Sequence, residues 1–322
     1  MVPDTKTEQK MDDLKDVTMM TQDELNQKRE YGIVTTHILH YATTELVKTG
    51  FQWLLPVILS KSTDPLWPDP GASIEKRIQA EIYGDVVNLT SSMIIHKMVS
   101  SSLLHPKFFI LSPNVRIEKR ERGLTGWHAY EFTQLDFEIR DGTFEDVRSL
   151  VEKLLTGIIR DLRRALREVP FRLGEFPEVS KPFDVYDRID LVQKFGEHWE
   201  TELPRSINNP VWVRNIPREF YDFEDLSTGI WDNYDLYVPR YGEILSGARR
   251  EFEYSKIHYK MERDGVKKEN YRLLLQLAKE NRLQPSAGAG IGIERLVTWI
   301  TGAKRISDIQ PFPKVPGIVL DL

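Results

Sequence analysis

The sequence predicts one α+β domain in which a mainly antiparallel sheet is flanked by helices. Segments that favour strands and segments that favour helices do not alternate one to one along the 322 residues, which argues against a doubly wound parallel sheet. Two apolar runs on either side of a polar loop predict a central hairpin, and long amphipathic segments predict packed helices. With 40% hydrophobic residues, the chain can bury a substantial core.

The N-terminal part of the chain predicts a division into two segments. Residues 1–20 are charged and lack apolar periodicity, so we expect a polar, flexible segment there. Residues 21–322 are expected to form the folded domain. A capping box at Thr21-Gln-Asp-Glu24 predicts the start of the first helix, and Gly50 predicts its end. Phe51–Leu59 is then expected to be a buried strand, with an edge or a bend at Pro56.

The remaining elements follow from apolar periodicity and turn residues. Predicted strands are 86–89, 108–117, 130–140, 211–213, 235–238, 243–245 and a glycine-bearing segment that starts at Ser286. Predicted helices are 93–103, 144–167, 255–264 and 269–281. Segments 64–71 and 170–182 are rich in proline and are expected to be loops.

Composition excludes several classes of site. The chain has no cysteine, so it has no disulfide, thiolate metal site or cysteine nucleophile. No apolar run reaches about 18 residues, and the N-terminus lacks an apolar signal region, so a cytoplasmic protein is expected. The net charge of -5 and the pI near 5.9 differ from the basic character typical of nucleic-acid binding domains.

Glycines 288, 290 and 292 alternate with small or apolar residues and predict a strand with one bare face. Arg295 follows where the strand runs into an apolar helix, and its planar guanidinium can stack on a purine or bind a phosphate. This pattern favours a nucleotide site. A dinucleotide-binding turn is disfavoured, because it needs a βαβ unit of about 30 residues and only 27 residues follow Arg295. A run of packing glycines is the alternative.

The predicted hairpin carries polar residues on one face. Arg116 and Glu118 are two residues apart on the first strand, so they point to the same side. On the second strand the residues that share a face are Phe132, Gln134, Asp136 and Glu138. A binding surface and a solvent-facing sheet surface would both show this pattern.

A third segment carries hard oxygen donors. Asp235, Glu243 and Ser246 provide the carboxylate and hydroxyl oxygens that Mg²⁺ prefers when it arrives with a triphosphate. Arg250 lies beyond a Ser-Gly-Ala bend and can bind a carboxylate through two nitrogens. Surface ion pairs are the alternative for this segment.

Together, the three segments resemble the motifs of class II aminoacyl-tRNA synthetases. Three stretches are similar to asparaginyl-tRNA synthetase: Val238-Pro-Arg-Tyr-Gly-Glu-Ile-Leu-Ser-Gly-Ala-Arg-Arg-Glu251, Gly292-Ile-Glu-Arg-Leu296 and Pro311-Phe-Pro-Lys-Val-Pro-Gly317. Glu131-Phe-Thr-Gln-Leu-Asp136 is equally similar to aspartyl-tRNA synthetase. The resemblance covers residues 25–318 and implies a class II synthetase-like catalytic domain that uses ATP and Mg²⁺.

The resemblance also implies roles for individual residues. Those expected to bind ATP are Arg116, Glu118, His128, Phe132, Glu243, Ile244, Gly292 and Arg295. Among them, Arg116, Glu243 and Arg295 are expected to be catalytic, with Phe132 and Arg295 on either side of the adenine. Those expected to surround aspartate are Ser92, Lys97, Asp136, Ser246 and Arg250. Glu243, Ser246 and Asp235 are expected to hold Mg²⁺.

Some segments depart from the family pattern. Ser91-Ser-Met-Ile94 stands where the aspartyl enzymes have Gln-Ser-Pro-Gln, and Trp127 stands where an arginine is expected. The acid of the substrate-closing loop cannot be placed within 64–71. These changes indicate a remodelled amino-acid pocket.

These synthetases carry an N-terminal anticodon-reading β-barrel, whereas about 20 polar residues precede the core here. Together with the acidic pI, this leads us to expect an AMP-forming asparagine synthetase, an aspartate–ammonia ligase that does not use tRNA. The alternatives are a shortened asparaginyl- or aspartyl-tRNA synthetase and a non-catalytic, synthetase-like regulatory protein. A homodimer is expected, formed through the first helix and residues 51–59.

Overall fold

The computed structural model describes residues 14–62, 74–167 and 175–321. Its helices are α1 (Gln22–Lys48), α2 (Ile94–Leu103), α3 (Phe144–Ala165), α4 (Arg188–Phe195), α5 (Trp199–Ser206), α6 (Tyr254–Arg263), α7 (Arg272–Lys279), α8 (Ile293–Thr301) and α9 (Ile306–Ile309). Its strands are β1 (Gln52–Trp53), β2 (Leu59–Ser60), β3 (Ile74–Lys76), β4 (Gln79–Ile82), β5 (Asp85–Leu89), β6 (Lys107–Val115), β7 (Ile117–Glu118), β8 (Glu131–Arg140), β9 (Asp184–Asp187), β10 (Val211–Arg214), β11 (Glu224–Asp225), β12 (Ile230–Trp231), β13 (Asn233–Val238), β14 (Gly242–Arg249) and β15 (Ser286–Gly292). Short 3-10 helices lie at Val17–Met19, Arg120–Thr125, Gly196–His198 and Lys268–Tyr271.

The largest sheet within the described residues has eight strands, in the order β1-β6-β8-β15-β14-β13-β10-β9. Its central pairings, from β6 to β10, are antiparallel. The two edge pairings, β1 with β6 and β9 with β10, are parallel. The predicted α+β class with a mainly antiparallel sheet is therefore confirmed.

The two faces of this sheet have different chemistry, because successive strand residues point to opposite sides. On one face, Phe137, Ala289 and Leu245 are buried in the main core. Helices α1, α3 and α8 pack on this face and supply most of the other core side chains. The opposite face carries the intervening residues, among them Asp136 and Gly290, and the alternation therefore confines polar chemistry to that face.

The first helix matches its prediction. The Thr21 hydroxyl accepts a hydrogen bond from the Glu24 amide, and the Glu24 carboxylate accepts one from the Thr21 amide. The prediction of a buried strand over 51–59 is wrong, since β1 and β2 have two residues each and Leu55 between them is 88% exposed. Pro56 cannot donate a ladder hydrogen bond, which is consistent with the chain leaving the sheet here.

Two helices have no counterpart in the prediction, and one predicted helix divides into two elements. Helices α4 and α5 were missed, although the Asp187 carboxylate caps α4 by accepting from the Ile189 amide. The predicted helix 269–281 consists of a 3-10 turn followed by α7.

Several predictions fall partly or wholly on residues outside the described ranges. Segment 64–71, residues 170–174 of the proline-rich connection and residues 1–13 lie there. Within segment 1–20, the Asp16 side chain caps the 3-10 turn that starts at Val17. The division of the chain at residue 21 stays a prediction. In the described ranges, every helix is too short or too polar to cross a membrane.

Candidate active site

Two neighbouring cavities open on the polar face of the sheet. The first, of about 120 Å³, is lined by all eight residues predicted to bind ATP. The second, of about 170 Å³, is lined by all five residues predicted to surround aspartate. The fold therefore brings together residues that lie far apart in sequence, from Ser92 on the α2 side to Arg295 in α8.

The two cavities share part of their walls. Of the described residues, Arg116, Gln134, Glu243 and Gly290 line both. A ligand in the first cavity and a ligand in the second would therefore meet beside the same four residues. Two bound molecules could react with each other at this junction.

The floor of the junction is a row of residues across four adjacent strands. Asp136 pairs with Gly290, Gly290 pairs with Ser246, and Ser246 pairs with Asp235. A Cβ atom at Gly290 would lie 2.8 Å from the Asp136 carboxylate and 2.8 Å from the Gln134 amide nitrogen. Glycine therefore leaves a gap between polar side chains that a larger residue would fill.

The predicted bare glycine face is present at two of its three positions. Gly290 and Gly292 line the first cavity. At Gly288, however, the Glu138 carboxylate and the Phe137 carbonyl occupy the space. The prediction of a continuous bare face is wrong at Gly288, because the neighbouring strand β8 covers it.

Arg116 lies at the junction, held from two sides. Its Nε donates to the Ser91 carbonyl at 3.0 Å. Its guanidinium carbon is 5.1 Å from the centre of the Phe132 ring, within the range of a cation–π contact. These contacts direct its charge toward the boundary between the cavities.

Arg295 lies on another wall of the first cavity. Its Nη1 donates to the Glu243 carbonyl at 3.0 Å and lies 3.4 Å from the Glu243 carboxylate. Its guanidinium carbon is 5.5 Å from the Trp127 ring, which itself packs against Tyr241. Trp127, noted in the sequence only as a departure, is thus part of the cavity wall.

His128 also lines the first cavity. Burial, followed by the nearby charges of Arg295, Arg122 and Arg116, lowers its pKa to about 3. The ring is therefore neutral near pH 7 and contributes no positive charge. The Thr125 hydroxyl donates to the Arg122 carbonyl, so the His128 Nδ1 at 2.7 Å is assigned as the donor to that hydroxyl.

The deep end of the second cavity is a buried ion network. Lys97 Nζ lies 2.7 Å from Asp136 and 3.8 Å from Glu138. Arg250 lies 3.1 Å from Glu138 and 2.8 Å from Asp222, and it also donates to the Gly288 carbonyl. The two cations predicted to bind substrate are therefore already paired with protein carboxylates. Asp222 was not singled out from the sequence.

Arg218 is a residue of the second cavity that the sequence analysis missed. It donates to the Ser246 hydroxyl and to the Asp235 carboxylate. Arg218 follows Pro217 in an irregular connection that shows no recognised motif and no apolar periodicity. The one sequence feature that could have indicated a site residue here is an arginine near the predicted acidic site residues. Burial and the nearby charge of Glu243 raise the pKa of Asp235 to about 7, and the positive charge of Arg218 offsets part of this rise.

The predicted magnesium ligands can be tested against their contacts. Within the described ranges, no group of three or more His, Asp or Glu side chains could hold a metal ion. Mg²⁺ bound with a triphosphate needs one or two protein carboxylates, and Glu243 lies at the junction where phosphates would enter. Asp235 Oδ1 is buried and has no hydrogen-bond partner among the described residues, so a hard oxygen is available. The residues therefore fit Mg²⁺, although Asp235 and Ser246 are also bound by Arg218.

Comparisons with known proteins identify the family. The model of the family described as tRNA synthetases class II (D, K and N) matches residues 21–316. An asparagine–tRNA ligase of Clostridium botulinum (strain Eklund 17B / Type B) is 26% identical, with 90% of this chain and 67% of that protein covered. The chain spans between half and two thirds of the length of the first asparagine–tRNA ligases it matches.

Solved structures of low identity share the fold. Asparaginyl-tRNA synthetase from Pyrococcus horikoshii, complexed with asparaginyl-adenylate, has a TM-score of 0.79 at 22% identity and covers 91% of this chain and 70% of its own. Aspartyl-tRNA synthetase from Entamoeba histolytica has a TM-score of 0.69 at 17% identity and covers 98% of this chain and 66% of its own.

These relatives overturn the prediction of an AMP-forming asparagine synthetase. The curated relatives named above are tRNA ligases, and the structural neighbours are tRNA synthetases. That prediction, with the exclusion of tRNA, depended on a short N-terminal segment, on net charge and on altered residues near the expected aspartate site. None of these features decides which nucleophile accepts the acyl group.

The matched segment covers almost the whole described fold and contains every residue of the two cavities. The chain belongs to the class II tRNA synthetase family of the D, K and N type.

Proposed function

We propose that this protein activates asparagine or aspartate with ATP and transfers the resulting acyl group to tRNA. The observation that supports this most directly is the shared wall between the two cavities, formed by Arg116, Gln134, Glu243 and Gly290. A nucleotide in the first cavity would place its α-phosphate beside the carboxylate of an amino acid in the second.

The first step would form an aminoacyl-adenylate. A carboxylate oxygen of the amino acid attacks the α-phosphorus, and the bond from that phosphorus to the pyrophosphate oxygen breaks. No proton moves in this step. Arg116 would stabilise the negative charge that develops on the α-phosphate oxygens, because its guanidinium is already fixed beside Phe132 and Ser91.

The adenine would lie between Phe132 and Arg295, whose side chains line the first cavity. Glu243 would hold Mg²⁺, with Ser246 and Asp235 as further oxygen donors. The ion would supply positive charge to the phosphates. The buried network of Lys97 and Arg250 with Asp136, Glu138 and Asp222 would fix the deep wall of the amino-acid cavity.

The second step would transfer the acyl group. A terminal ribose hydroxyl of tRNA attacks the carbonyl carbon, the bond from that carbon to the AMP oxygen breaks, and the hydroxyl proton is released. The relatives are named asparagine–tRNA ligases, and this supports tRNA as the acceptor. Free AMP and aminoacyl-tRNA would be the final products.

Exchange of labelled pyrophosphate into ATP tests the first step. We expect exchange that depends on asparagine or aspartate and is lost in Arg116→Ala. Arg160→Ala is the matched control, because Arg160 is exposed on α3. Acylation of total tRNA with each labelled amino acid tests the second step. Exchange with neither amino acid, or release of ADP and inorganic phosphate, would refute the proposal of adenylation.

A further inference from the structure

Arg218 is held in place by the segments on both sides of it. The buried Asn233 side chain accepts from the Ile216 amide at 2.9 Å and donates to the Ile216 carbonyl at 2.6 Å. Phe220 is fully buried and packs against Tyr271 with the ring centres 5.2 Å apart. The connection is therefore anchored two residues before Arg218 and two residues after it.

Arg218 and Lys97 flank the gap at Gly290 from opposite sides. Arg218 donates to Ser246 and Asp235, which are paired across β14 and β13. Lys97 donates to Asp136, which is paired with Gly290 from the other side. A ligand over Gly290 would therefore lie between two cations.

The cations of this cavity differ in how completely the protein neutralises them. In the ranges that the structure describes, Lys97 and Arg250 each lie within ion-pair distance of two carboxylates, and their side chains are 4% and 5% exposed. Arg218 forms an ion pair with one carboxylate, and its side chain is 23% exposed. A guanidinium has five N–H donors, and the contacts with Ser246 and Asp235 leave capacity for a further acceptor.

The two cavities also set a direction for the amino acid. Arg116 lines both cavities, so the carboxylate that is activated would lie near it at the junction. Arg218 lines the second cavity and is not among the residues of the first. The other end of the amino acid would therefore point toward Arg218.

We infer that Arg218 binds the side-chain carboxylate of the amino acid and makes this site selective for aspartate over asparagine. A carboxylate offers two charged acceptor oxygens to the guanidinium. The amide of asparagine would either direct its own N–H group at the N–H groups of Arg218 or leave one N–H group of Arg218 without an acceptor. This inference rests on the proposed adenylation, because pyrophosphate exchange is used to measure it. It concerns a separate property, which is the choice of amino acid.

The test compares wild type, Arg218→Gln and Arg218→Lys in pyrophosphate exchange with each amino acid. Wild type is expected to prefer aspartate. In Arg218→Gln, the KM for aspartate should rise by about 30-fold or more, since a charge partner in a largely buried site is lost. The KM for asparagine and that for ATP should change by less than about 3-fold, within the range of indirect effects. Arg218→Lys should be intermediate, because lysine keeps the charge and loses the planar fork.

Equal losses for both amino acids, a raised KM for ATP, or unchanged kinetics in Arg218→Gln would overturn the inference. If wild type supports no exchange at all, adenylation fails, and Arg218 is then tested by calorimetric titration with L-aspartate and L-asparagine. The inference survives if wild type binds aspartate more tightly and Arg218→Gln loses that preference. It is overturned if wild type binds no aspartate or if the variant retains the preference. Arg160→Gln, on the exposed side of α3, is the control, and thermal unfolding of each variant verifies folding.

Discussion

The carboxylate of Glu138 fills the space that a Cβ atom on Gly288 would require. The same carboxylate pairs with Arg250 and accepts from the Ser286 hydroxyl, so it cannot swing away without breaking buried contacts. Gly288 is therefore needed for packing, whereas Gly290 and Gly292 line the first cavity.

Gly288→Ala should consequently reduce the free energy of unfolding by more than about 2 kcal/mol, because overpacking forces charged groups apart. Gly292→Ala is the matched variant, since its Cβ would lie 3.7 Å from the nearest side-chain atoms, those of Arg295. It should change stability by less than about 1 kcal/mol. Urea unfolding of both variants checks this, and equal losses would show that the two positions are not distinguished by Glu138.

Arg250→Ala should destabilise the protein as well as alter its site. The substitution leaves Glu138 and Asp222 buried without their common cation, which typically costs about 3–5 kcal/mol. Arg249→Ala is the control, because the Arg249 guanidinium carbon lies 4.4 Å from the centre of the Phe223 ring. This substitution should lower the free energy of unfolding by less than about 1 kcal/mol. A stable Arg250→Ala protein with weakened amino-acid binding would instead indicate a purely ligand-binding role.

Glu294 should make stability depend on pH. Burial raises the pKa of this carboxyl from 4.5 to about 7, and hydrogen bonds from the Thr133 amide offset part of that effect. Between these two values the folded protein binds more protons than the unfolded chain, so stability falls as pH rises through this window. Because the side chain is half-buried, we expect a loss of about 1–2 kcal/mol between about pH 5 and pH 8.

Glu294→Gln should remove that part of the pH dependence while keeping an acceptor for Thr133. Urea unfolding of wild type and variant at both pH values measures the difference. If the two proteins lose the same stability between the two pH values, Glu294 is not the group responsible.

The exposed apolar residues after α1 predict a homodimer. Leu55 is 88% exposed and Ile58 is 57% exposed, and a patch of this kind is typical of an interface. Light scattering should give twice the monomer mass of 37.5 kDa for wild type and the monomer mass for Leu55→Glu. Tyr83→Ser is the control, since Tyr83 is a fully exposed side chain at the tip of the β4–β5 hairpin. A wild-type monomer at micromolar concentration would contradict the prediction.

Much of the architecture could be predicted because its signals are local. The capping box at Thr21 and Glu24 and the alternating strand 130–140 each depend on neighbours within a few residues. Segment 51–59, which carries the exposed Leu55 and Ile58, was mispredicted for a related reason. Its apolar composition predicts burial, but the sequence does not say whether the covering surface belongs to the same chain.

By itself, the sequence determined which residue types the two cavities would contain, because the three motifs carry those residues at fixed spacings. The tertiary structure decided which groups neutralise each other. Arg250 and Glu138 are 112 residues apart, and Arg218 and Ser246 are 28 residues apart. Their contacts depend on strand register, where a shift of one residue would move every side chain to the other face. Such long-range pairing has no local signal, so the covering of Gly288 and the position of Arg218 emerged only from the folded chain.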